Sequence, residues 1–189
     1  MANGGSVTKR IEVRTYTFFE CVRFHFFETE KGRAAGVADY RLSAQIIKRS
    51  EGKSSIASAA YRSASRLYDE RTGEAHDYGR KAGVTHCEII TPDNSPEWMH
   101  DRAQLWNAVE AVERRGDAQL AREIQLSLPH ELDREQRIEL ARGFVQEQFV
   151  NQGMIADLAI HEPSGHGGDD RNHHAHVMLT MRELTSDGF

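Results

Sequence analysis

Residues 158–182 read LAIHEPSGHGGDDRNHHAHVMLTMR, two apolar alternating runs separated by a polar, Gly-rich stretch. Each run has the period of a β-strand, and the stretch between them reads as a connecting loop. In the second strand His174, His176, Met178 and Thr180 share one face, and Ala175, Val177, Leu179 and Met181 share the other. In the first, Asp157, Ala159 and His161 oppose Ala156, Leu158 and Ile160. Pairing of these strands brings three imidazoles together on one side and sends the apolar sets to the core. Neutral imidazole is a good ligand for divalent first-row ions, so His161, His174 and His176 are candidate metal ligands.

A single strand-borne histidine is usually just a polar residue on a solvated face, and a His-rich exposed loop is the plain alternative here. Two histidines at i and i+2, with a third ending the preceding strand, favour the metal site. His173 points to the opposite face in this register. His166 lies among Gly165, Gly167 and Gly168, where loop flexibility accounts for it.

The 189-residue chain is long enough for one domain with a real core, or a domain plus an appendage. Hydrophobic residues are 39% and charged residues 28%, ordinary for a globular protein. No stretch approaches the roughly 18 consecutive apolar residues of a membrane span, and MANGGSVTKR lacks the apolar run of a signal peptide. Cys21 and Cys87 are too few for a disulfide framework and are expected to stay reduced in a cytoplasm. The net charge of −5 argues against indiscriminate coating of nucleic acid. Its distribution is uneven: residues 37–92 hold nine Lys or Arg against seven acids, and residues 93–189 nine against eighteen. A phosphate-facing surface is therefore expected in the first third of the domain.

Residues 1–36 read as an N-terminal extension, and the domain proper as 37–189. Tyr40–Ile47 alternates and suits a central strand with Leu42, Ala44 and Ile46 on one face. Ser54 is a plausible cap for a helix running to about Tyr68. Ala57, Tyr61, Ala64 and Tyr68 share a face of it, with Arg62 and Arg66 one turn apart beside them. The small residues around Tyr61 leave room for a bulky partner at the phenol. Asp69–Gly83 is polar and turn-rich, a candidate hairpin over the site. Thr85–Thr91 follows as a strand. Ser95-Pro96 opens a helix to about Arg115, with Trp98, Leu105, Val109 and Val112 as its core face. Arg122–Leu128 is a strand with Glu123, Gln125 and Ser127 opposite Ile124, Leu126 and Leu128. Asp133 and Gln136 form a capping box for the next helix.

The architecture expected is α+β: a mainly antiparallel sheet with helices packed on one face and an open polar face carrying the site. Glu123 falls on the histidine side, as a base or as a partner orienting a histidine. Asp157 competes for that role, and a salt bridge with an arginine is the alternative for Glu123.

YRLSAQIIKRSEGKSSIASAAYRSA (40–64), EIQLSLPHEL (123–132) and LAIHEPSG with NHHAHVMLTMREL (158–165 and 172–184) together resemble the MobA/MobL family of conjugative relaxases, within the HUH endonucleases (His, a hydrophobic residue, His). The resemblance runs from about Ala38 to Phe189 and implies the palm-like fold of that group. It implies strand- and site-specific nicking at an origin of transfer, with a tyrosine attacking the scissile phosphate to leave a 5′-phosphotyrosine and a free 3′-hydroxyl. On these positions Tyr61 is the nucleophile, with Tyr68 in reserve, and His161, His174 and His176 hold Mg²⁺ or Mn²⁺. Lys48, Arg49, Lys53, Arg62 and Arg66 are then expected to meet DNA phosphates. Single-stranded or hairpin DNA at the origin is the implied partner, alongside accessory mobilisation proteins and type IV secretion machinery. The family domain continues past Thr185–Phe189, so this one is expected to be cut short at its C-terminal end. A non-catalytic origin-binding fragment, a replication initiator of the same HUH group and a His-rich metal-binding protein are the competing readings.

Overall fold

The computed structural model describes residues 41–93, 95–163 and 171–182. The expected extension over 1–36, His166 and the C-terminal Thr185–Phe189 lie outside the described residues. Contacts divide the chain into Met1–Ala34 and Ala35–Phe189, and every described residue belongs to the second unit.

Seven strands and three α-helices are described: β1 Leu42–Lys48, α1 Ser55–Ser63, β2 Arg66–Asp69, β3 Glu74–Asp77, β4 Val84–Ile90, α2 Arg102–Val112, β5 Gln119–Ser127, α3 Arg134–Gln148, β6 Ala156–His161 and β7 His174–Leu179. Five strands form one antiparallel sheet in the order β1-β5-β7-β6-β4, and β2 and β3 form a separate hairpin. The α+β class with a mainly antiparallel sheet is as the sequence predicts. The strand meant to be central is not: among the described residues β1 is an edge, Leu42–Gln45 are exposed, and Ile47 is its buried residue.

Register sets the two faces of the sheet. Pairings Glu123 with Met178, Gln125 with His176 and His161 with His174 place these residues on one side together with Asp157 and Cys87. The opposite side carries Leu158, Ile160, Val177 and Leu126, all fully buried, and α3 covers it with Leu140, Ala141, Phe144 and Val145. Helices on one face alone require correction, because α1 and α2 lie on the histidine side. Trp106 of α2 donates its indole N–H to Asp157 at 2.9 Å, and Arg102 makes a two-pronged pair with the same carboxylate. Met178 joins Ile56, Ala59, Trp106 and Leu105 in the core beneath these helices. The polar strand face is thus closed at its centre by α1 and α2.

Local chemistry explains where elements stop. Ser54 caps α1 by accepting from the Ala57 N–H, but the helix ends at Ser63 rather than near Tyr68. Ser63 Oγ donates back to the Ala59 carbonyl at 2.7 Å, and Ala64 turns left-handed at φ 50°. Arg66 and Tyr68 are therefore strand residues on β2, both exposed. The helix expected from Pro96 begins only at Arg102, capped by Asp101, after a 3₁₀ turn over Glu97–His100. Leu105 and Val109 are buried as expected and Trp106 is buried with them, while Val112, the last residue of α2, is exposed. The Asp133–Gln136 capping box is present. Gly83 has φ +87°, and a Cβ there would sit 2.9 Å from the Glu162 carbonyl oxygen. Among the described residues no helix is long and apolar enough to cross a membrane.

A candidate three-histidine metal centre beside Tyr61

His161 closes β6 and His174 opens β7, and the two are direct cross-strand partners. His176, two residues on, shares the face, so alternation alone assembles the trio. The ring centroids are 5.2, 4.8 and 5.1 Å apart, and one ligand nitrogen from each ring lies within 4.8 Å of the others.

Each imidazole has one ring nitrogen engaged by a group that can only accept. His161 Nε2 meets the Arg62 carbonyl at 2.7 Å, His174 Nδ1 the Asn172 carbonyl at 3.0 Å, and His176 Nδ1 the Glu123 carboxylate at 2.8 Å. Those nitrogens must carry the proton. The lone pairs then fall on Nδ1 of His161 and Nε2 of His174 and His176, the arrangement in which metal-binding histidines are held. Burial keeps the trio's first two members neutral: His161 is pulled down to about 4, chiefly by desolvation and further by Lys81 and the other two rings, and His174 is lowered by the same desolvation. Neutral imidazole is the ligating form.

Glu123 is 2% exposed. Its carboxylate takes both prongs of the Arg62 guanidinium, the amide of Gln45 and His176 Nδ1–H. Burial alone would raise this carboxyl, but the bonds from His176 and Arg62 outweigh it and bring it to about 2. A carboxylate so acidic, with both oxygens occupied, orients His176 better than it accepts a proton. Asp157 is consumed by Arg102 and Trp106.

Tyr61 lies on the last turn of α1, 48% exposed, edge-on to Tyr78 with centroids 5.2 Å apart. The next residue, Arg62, reaches two of the three histidines: His161 through its carbonyl and His176 through Glu123. Of the expected phosphate contacts, Arg62 and Arg49 are held by buried carboxylates, Arg62 by Glu123 and Arg49 by Glu110 at 2.6 Å. Arg66 is exposed and Lys53 pairs with Glu51 at 2.8 Å in solvent. Lys48 ends β1, and Lys53 lies just before the Ser54 cap at the opposite end of α1 from Arg62. Sequence reading passed over Lys81 and Gln45. Lys81 sits in a polar stretch without periodicity, three residues after Tyr78, and the sequence offers no signal for its place beside Tyr61.

The model of the MobA/MobL family matches residues 53–189. The chain is 41% identical to "Conjugal transfer protein TraA" of Agrobacterium fabrum, over 78% of this chain and 14% of that protein. It is 42% identical to "Mobilization protein MobL" of Acidithiobacillus ferridurans, over 80% of this chain and 45% of that protein. The chain thus spans less than half the length of these relatives. A solved structure described as "Molecular Basis of Vancomycin Resistance Transfer in Staphylococcus aureus" superposes with a TM-score of 0.74 and 38% identity, covering 80% of this chain and 74% of that one.

Proposed function

The chain belongs to the MobA/MobL family, and from that premise we propose that it is a relaxase domain of DNA mobilisation, a tyrosine transesterase that nicks one strand at an origin of transfer. The observation carrying this reading is the coupling of a half-exposed Tyr61 to a cluster of three imidazoles, two of which the adjacent Arg62 reaches. Relatives bearing conjugal-transfer and mobilisation names supply the DNA partner.

In the proposed reaction Tyr61 Oη attacks the scissile phosphorus as the P–O3′ bond breaks. The tyrosine keeps the 5′-phosphate, the phenol gives up its proton, and the departing 3′-oxygen gains one. A metal bound to His161, His174 and His176 would act as a Lewis acid on the phosphate oxygens. The donor set fits a divalent ion: three preoriented nitrogens with no protein carboxylate among them. All-imidazole ligation is a poor host for Mg²⁺, which prefers oxygen, so Mn²⁺ or a later first-row ion is the expected occupant. Glu123 holds His176 in the ligating tautomer and Arg62 holds Glu123. Arg66, Lys53 and Lys48 remain for backbone phosphates. Accessory mobilisation proteins and secretion machinery would then receive the linked strand.

The test is a denaturing gel for a covalent protein–DNA adduct on single-stranded oligonucleotides from the DNA flanking the gene, with Mn²⁺ or EDTA. A slow band that needs Mn²⁺ and vanishes in Tyr61→Phe supports the reading. Sequence-dependent binding without any band, under every metal, would make this a non-catalytic origin-binding fragment.

A further inference from the structure

The polar segment between β3 and β4 is folded onto Tyr61 by two residues of one turn. The Lys81 N–H donates to the Tyr78 carbonyl at 2.9 Å, closing the turn, and the Tyr78 N–H donates to the Ser65 carbonyl at 3.0 Å, tying it to the chain just after α1. Both side chains reach Tyr61. The Tyr78 ring stands perpendicular to the Tyr61 ring. Lys81 Nζ lies 3.7 Å from the Tyr61 ring centroid and donates to the Tyr61 carbonyl at 2.9 Å.

This ammonium is partly desolvated, and burial together with Arg62 lowers its proton affinity. The charged and titratable groups facing it are the Arg62 guanidinium and the neutral rings of His161 and His174, with the Cys87 thiol nearby. Among the described residues no carboxylate neutralises it. A cation half-buried over an aromatic face, with no carboxylate beside it among the described residues, is unusual unless the ring's position matters.

Resting on the assignment of Tyr61 as nucleophile, we propose that Lys81 is a positioning residue for it. Its ammonium fixes the plane of the phenol ring from one side while its bond to the Tyr61 carbonyl fixes the end of α1, and Tyr78 closes the other approach. The turn from Tyr78 to Lys81 is thus a clamp that presents Oη in one orientation to the phosphate. Lys81 acts through Tyr61 and forms no bond with the reacting atoms.

The test compares the full chain with Lys81→Met, which keeps the stem, and Lys81→Arg, which keeps the cation. Single-turnover attachment is measured with saturating oligonucleotide and Mn²⁺, and 3-fluorotyrosine at position 61 reports the ring by ¹⁹F NMR. In Lys81→Met the attachment rate constant falls roughly ten- to thirtyfold, the size of a desolvated cation–π contact. Oligonucleotide and Mn²⁺ affinities hold steady, and the fluorine signal broadens or splits. Lys81→Arg restores both rate and signal, because guanidinium also stacks on aromatic faces. A Lys81→Met rate indistinguishable from the parent overturns the proposal, and so does a loss confined to oligonucleotide affinity, which marks an ordinary phosphate contact. If Tyr61→Phe still attaches DNA, the nucleophile assignment fails by itself. The fluorine signal then decides the clamp: a sharp, unchanged line in Lys81→Met overturns it, and broadening sustains it.

Discussion

His161 donates its Nε2–H to the backbone carbonyl of Arg62 at 2.7 Å, so a strand-end candidate metal ligand is held by the main chain of a helix ninety-nine residues earlier. Side-chain substitution cannot remove that bond directly. The other half of Arg62 is removable, since its guanidinium grips Glu123, which grips His176.

Arg62→Ala leaves the Glu123 carboxylate buried without its cation, at a cost of about 3–5 kcal/mol. A fall of that size in urea-denaturation free energy is expected, with Arg62→Ala/Glu123→Leu recovering much of it. A loss below about 1 kcal/mol, typical of an exposed ion pair, would show that the pair is solvated rather than buried.

Glu123→Gln keeps the shape but weakens the hold on His176 Nδ1–H. Mn²⁺ affinity by calorimetry should fall roughly 10–100-fold, as for other groups that orient metal-bound histidines. His174→Ala should lose at least as much, while Tyr61→Phe leaves the affinity unchanged. Equal affinity in the parent and His174→Ala would disqualify the trio as the metal centre.

Gly83→Ala forces a Cβ into the left-handed region and to 2.9 Å from the carbonyl oxygen of Glu162, the residue after His161. The expected cost exceeds about 1 kcal/mol, with weaker Mn²⁺ binding as β6 shifts. Gly116→Ala, where a Cβ meets nothing within 4 Å, is the control and should melt near the parent temperature.

Cys87 is pushed up to about 11 by burial, against 9.0 for a free thiol. Between those values the folded chain retains a proton the unfolded chain has lost, so stability is full below pH 9 and declines as pH rises through 11. Alkylation at pH 8 should also be slow until denaturant is added. Cys87→Ala removes this contribution to the alkaline slope. Parent and variant declining in parallel would contradict the assigned burial effect.

Legibility followed periodicity. His161, His174, His176 and Glu123 were readable because strand parity alone puts them on one face. The end of α1 was not, because Ser63 and Ser65 offer the backbone local bonds that compete with the helix. Trp106 was missed because it lies beside the expected stripe of Leu105 and Val109, both buried, and Val112 falls outside the core because it is the last residue of α2. The covering of the histidine face was also illegible: Asp157 looks like a solvent-facing residue, yet it receives an indole and a guanidinium from α2. Arg49 and Arg62 resembled phosphate contacts because a sequence shows a charge but not the buried acid opposite it.

Tyr61 and Arg62 are consecutive on α1, one on the exposed side and the other bound to the histidine cage. Their Cα atoms are set about 3.8 Å apart by a single peptide unit. That unit is a ruler, transmitting any slide or rotation of the helix to phenol and cage at once. Drift between the two halves of the centre is thereby suppressed, and insertions are barred from this point of the chain more strictly than from any loop.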